Sequence, residues 1–110
     1  MRRVVVTGIG AVTPLGAGVD NVWGRILNAE SGAGAIQSFD VSDLAAKIAC
    51  EVPIGDAEGG SFNPDDHVSP KDQRKMGKFI VFAMGAAAEA IDDSGWTLET
   101  DEDAERTGVM

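Results

Sequence analysis

The sequence predicts an α/β protein in which helices cover a sheet, and three observations carry that prediction. Val4-Val5-Val6-Thr7 is a β-branched run with no polar alternation, the pattern of a central strand covered on both faces. Met76, Phe79, Ile80, Ala83, Ala86, Ala87, Ala90 and Ile91 recur at helical spacing. Val81, Phe82 and Met84 make the middle of that helix apolar nearly all round, so it expects neighbours on several sides. Gly8 and Gly10 follow the first run, where glycine in a strand pattern marks a bend or the close approach of another backbone.

Taken in order, the first strand begins at residue 3 and is stopped by the turn chemistry of Thr13-Pro14-Leu15-Gly16. Gly16 to Val19 is a turn, and Asp20 is a suitable N-cap. Val22, Trp23, Ile26 and Leu27 then share one helix face. Gly24 costs that helix about 1 kcal/mol relative to alanine, which predicts something packed close against it. Ser31-Gly32-Ala33-Gly34 ends the helix, and Phe39 to Leu44 is irregular, with one helical turn after Asp40. Lys47-Ile48-Ala49-Cys50-Glu51-Val52 reads as a short strand stopped by Pro53. Gly55 to Asp66 holds three glycines, one proline and four acids and reads as a solvated loop. Ser69 then caps a helix with Pro70 first and Asp72 third, a capping box. Its periodicity runs to about Asp93, with Gly95 as its stop. Glu99 to Glu105 is an acidic surface loop, and Arg106 to Met110 looks like a strand being entered.

The chain's 110 residues match one small domain in size, and 44% hydrophobic with 25% charged residues is globular chemistry. The longest apolar run, Phe79 to Ala88, is about half of what a bilayer crossing needs. No secretory signal opens the sequence, since Arg2-Arg3 leads into a strand. One cysteine excludes an internal disulfide framework and suits a reducing cytoplasm. A net charge of −9 argues against nucleic acid or an anionic membrane surface as partners. One covered strand at the start, one begun at the end and a short one between do not complete a layered sheet. Residues 1–110 are therefore expected to be the amino-terminal portion of a longer protein and not to supply a full core alone.

Chemistry-bearing residues are few. Gly8 and Gly10 begin a dinucleotide fingerprint, but its third position is Thr13, followed by Pro14, and no helix opens there. Cys50 has Glu51 beside it, and a like charge disfavours the thiolate, so it reads as a small buried strand residue rather than a nucleophile. His67 lies among Asp65, Asp66 and Ser69 without the ligand spacing of a metal site and reads as solvated. Lys71, Arg74, Lys75 and Lys78 stack at i, i+3, i+4 and i+7 near a helix start and hold four of nine basic residues. Cations there oppose the helix dipole at roughly 0.3–1 kcal/mol each when exposed. One account of them is a solvated face relieved by nearby acids; the other is a docking patch for an acidic partner.

The run Arg3-Val4-Val5-Val6-Thr7-Gly8-Ile9-Gly10, then Pro14, Gly16, Trp23, Leu27 and Ser31-Gly32, resembles the amino terminus of the β-ketoacyl-acyl-carrier-protein synthases, the elongating condensing enzymes. The resemblance resumes at Asp72-Gln73-Arg74-Lys75-Met76, which looks more like the synthase II type than synthase I, and closes at Asp93-Ser94-Gly95. Residues 53 to 68 match least. It implies a thiolase-like fold layered α/β/α/β/α and a homodimeric acyltransferase of fatty acid synthesis in the cytoplasm. The implied reaction is a decarboxylative condensation of malonyl-acyl-carrier-protein with acyl-acyl-carrier-protein. No organic cofactor or metal is implied. The nucleophilic cysteine and two histidines of such enzymes belong beyond residue 110, so the chain alone should be inactive. The basic segment of these enzymes meets the acidic recognition helix of acyl carrier protein, and its matching positions are Lys71, Arg74 and Lys75. A polyketide ketosynthase, or its non-catalytic partner subunit, shares the same opening.

Overall fold

The structure is a computed structural model that describes residues 2–110. Its longest element is the helix that the alanine-rich stripe predicts, and the amino-terminal segment through residue 13 and residues 62–68 pack on it. That helix, α3 (Lys78–Ser94), follows α1 (Val19–Leu27) and the single turn α2 (Pro70–Gln73), and a short helix α4 (Asp101–Glu105) comes last. The strands are two-residue pairs. β1 (Val12–Thr13) meets β2 (Gly16–Ala17), and β3 (Gly34–Ala35) meets β4 (Ile48–Ala49), both antiparallel.

The amino-terminal segment runs against α3 with almost no space between the backbones. A Cβ on Gly10 would lie 1.8 Å from the Ala86 carbonyl oxygen, and one on Gly8 would lie 2.1 Å from that of Ala90. The two glycines and the alanines of α3 are thus two halves of one contact, as their sequence pattern predicts. Two carboxylates of α3 fasten it. Asp93 accepts the Ile9 N–H at 2.9 Å, and Glu89 accepts the Ala11 N–H at 2.9 Å. The other Glu89 oxygen takes the Val19 N–H at 2.7 Å. It supplies the cap that α1 lacks, because α1 begins after Gly18 at φ 86° with no side-chain cap of its own. Asp20, the predicted N-cap, lies inside the first turn instead.

Several expectations fail for a shared reason: segments predicted to be buried have nothing to pack on within these residues. No strand forms over residues 3–7, and Val4 is 96% exposed. A strand needs hydrogen-bonded neighbours, and none of the described residues pairs with this one. Likewise Arg106–Met110 forms no strand, and Val109 is fully exposed. Only Val22 of the α1 stripe is buried, whereas Trp23, Ile26 and Leu27 face outward, and the space beside Gly24 is open. α1 stops at Leu27, four residues before the predicted Ser31 stop, and Arg25 ties its end by donating to the Leu15 carbonyl and pairing with Glu30 at 2.6 Å. A single turn does follow Asp40: its side chain accepts the Ser42 N–H at 3.0 Å, and the Leu44 N–H donates to the Val41 carbonyl at 3.0 Å.

The predicted solvated loop over residues 55–66 contains the centre of the core. Phe62 is 1% exposed and packs with Val68 and Val81. Its backbone is held on both sides: Phe62 N–H donates to the Pro53 carbonyl at 2.8 Å, and its own carbonyl accepts from Gly55 at 3.1 Å. The ring lies on α3 at Gly85, where a Cβ would come within 2.4 Å of Cε2. Phe82 meets it edge-on at 5.3 Å. Polar composition concealed this residue, because one aromatic in an acidic, glycine-rich stretch leaves no periodic signal.

The predicted helix from Pro70 to Asp93 is interrupted. Ser69 caps α2 as expected, its hydroxyl accepting the Asp72 N–H at 3.3 Å. The chain then tightens through Arg74 to Met76 and is extended at Gly77 (φ −70°, ψ 150°) before α3 begins. The segment over residues 99–105, expected as a loop, contains the helix α4. Thr100 and Asp103 form a reciprocal capping box: each side chain accepts the other residue's N–H, at 3.0 and 3.2 Å. That Thr-x-x-Asp signature was present in the sequence.

Candidate functional site

Lys71, Arg74 and Lys75 are exposed on α2 and the turn that follows it, and Lys78 is the first residue of α3. The break at Gly77 means that the four cations do not share one continuous helix face. Lys71, Arg74 and Lys75 stay together on one turn, while Lys78 is offset across the step. The unfavourable dipole therefore falls mainly on Lys78, at the start of a seventeen-residue helix, because a four-residue helix sums few peptide dipoles.

Internal pairing leaves most of this charge available. Among the described residues the ion pairs are Arg25–Glu30, Lys75–Asp72 and Arg106–Glu102, so of the four cations only Lys75 is engaged, at 3.2 Å. That pair is solvent-exposed and i,i+3, a contact that is weak and readily exchanged. The Ser69 hydroxyl, and after it the Lys75 ammonium, holds the Asp72 carboxyl below its ordinary value. Asp72 thus stays ionised in the first turn of α2, where its carboxylate accepts the Ser69 hydroxyl at 2.8 Å.

Behind the cations the step between α2 and α3 opens a groove of about 480 Å³. Ile54, Pro70, Met76, Val81 and Phe82 line it, with Arg74 and Lys78 beside them. Pattern reasoning missed this groove because it treated residues 70–93 as one straight helix.

Cys50 is exposed, contrary to the expectation of a buried strand residue. β4 ends at Ala49, and no layer covers that side of the two-residue strand pair. Its neighbour Glu51 is occupied elsewhere, accepting the Gln37 N–H at 2.8 Å and the Ser38 hydroxyl. The Ser38 hydroxyl first, then the Gln37 N–H, holds the Glu51 carboxyl below its ordinary 4.5. His67 is exposed, as expected, but it is not free of the fold: its ring stacks on Phe62 at 5.3 Å and 5°. No group of three metal-ligating side chains comes together among the described residues. No helix among them is long and apolar enough to cross a membrane.

The architecture is that of the ketosynthases, a thiolase-like α/β fold of which these elements are the amino-terminal part. The chain superposes on the ishigamide ketosynthase/chain length factor with a TM-score of 0.70 at 36% identity, over 87% of this chain and 22% of that one. The family described as beta-ketoacyl synthase, N-terminal domain, matches residues 1–110, and the chain belongs to it. The chain is 52% identical over 110 residues to the 3-oxoacyl-[acyl-carrier-protein] synthase 2 of Rhizobium meliloti, covering 100% of this chain and 26% of the relative. To the Vibrio harveyi protein of the same name it is 38% identical over 108 residues, covering 98% of this chain and 24% of that one. The mitochondrial 3-oxoacyl-[acyl-carrier-protein] synthase of Arabidopsis thaliana is also 38% identical, over 122 residues, with 98% and 26% covered. The chain therefore spans about a quarter of the length of these curated relatives.

Proposed function

We propose that residues 1–110 are the carrier-docking, amino-terminal portion of a 3-oxoacyl-acyl-carrier-protein synthase of the second type, acting in fatty acid elongation in the cytoplasm as a homodimer. The observation that carries the docking role is the face formed by Lys71, Arg74 and Lys75. It is exposed, and among the described residues only one of the three cations is in an ion pair, in a chain of net charge −9. An acidic helix of acyl carrier protein is the complementary surface, and long-range attraction raises the rate of encounter without a large buried area.

In this reading the chemistry belongs to residues outside the chain. A cysteine thiolate takes the acyl group from the carrier thioester and releases the carrier thiol. Malonyl-acyl-carrier-protein then loses carbon dioxide, and the resulting carbanion attacks the acyl-cysteine carbonyl and expels the thiolate. Two histidines and backbone N–H groups stabilise the charge that develops on the oxygens. Cys50 has no part in it, and the 110-residue chain alone is inactive.

The test is charge reversal of Arg74 and Lys75 to Glu in the full-length protein. Apparent affinity for acyl carrier protein should fall at low ionic strength and approach the wild-type value as salt rises, with kcat nearly unchanged. Unaltered kinetics at low salt would remove the docking role. The similarity to the ishigamide ketosynthase/chain length factor favours a second reading, a polyketide ketosynthase or its non-catalytic partner subunit. Whether the full-length protein has a nucleophilic cysteine separates the catalytic forms from the non-catalytic one.

A further inference from the structure

We draw no further inference here: the strongest candidate, the acidic cleft that Asp20, Asp66, His67, Glu89, Asp92 and Asp93 line between the start of α1 and the carboxyl-terminal half of α3, is a cluster of carboxylates in which no ligating set and no buried unpartnered polar group among the described residues points to a ligand.

Discussion

Glu89 uses both carboxylate oxygens on backbone donors from two segments, Ala11 and Val19, that lie far from it in sequence. A glutamine there keeps one acceptor and turns an NH₂ group toward the other N–H, leaving that donor unpaired. Glu89→Gln should destabilise the full-length protein by about 1.5–3 kcal/mol, read by urea denaturation, since hydrogen bonds to a charged group are the stronger kind. Gly85 poses a steric problem of similar size. Gly85→Ala drives a Cβ into the Phe62 ring and should cost roughly 1–3 kcal/mol. Phe62→Leu in the same protein should recover part of that loss, giving a double-mutant coupling of opposite sign to the single effects. Additive losses would mean that the ring and the glycine do not share the site.

At the scale of elements, the connection between β3 and β4 depends on Glu51 as an acceptor for Gln37 and Ser38. The folded carboxyl titrates below 4.5, so its contribution is fully present above the unfolded value. That contribution is lost as pH falls through the lower, folded one. A carboxyl-carbon NMR titration of Glu51 should give a midpoint below 4.5, and Ser38→Ala should raise it. An unmoved midpoint in that variant would show that the hydroxyl is not the cause. Of the helices, α3 was legible in the sequence because seventeen residues carry a sustained apolar pattern. The break at Gly77 was not, since glycine inside a helical pattern is compatible with either outcome until the groove beside it is seen. The α4 capping box was readable and was outweighed by acidic composition.

For the whole molecule, the decisive quantity is surface. A self-contained domain of 11.4 kDa should expose about 5,800 Å², whereas this chain exposes 8694 Å², an excess of about 2,900 Å². Its radius of gyration is 17.0 Å, against about 13 Å for a compact domain of this length. The excess includes Val4, Val5, Val6, Trp23, Leu27 and Phe79, the residues whose pattern predicts burial. The isolated chain should accordingly show no cooperative melt in calorimetry and should bind a hydrophobic dye, in contrast to the full-length protein. A sharp, reversible transition of residues 1–110 alone would refute this.

The sequence by itself determined the family, the alanine-rich helix, the glycine pair that lies against it and the cluster of cations at Lys71, Arg74 and Lys75. Each is a local pattern or a contiguous motif, and such signals survive without knowledge of neighbours. Only the tertiary structure decided that Phe62 is the core, that Glu89 caps a helix other than its own, and that Gly77 divides the cations around an apolar groove. Those three depend on which distant segments meet, and a linear pattern does not encode that.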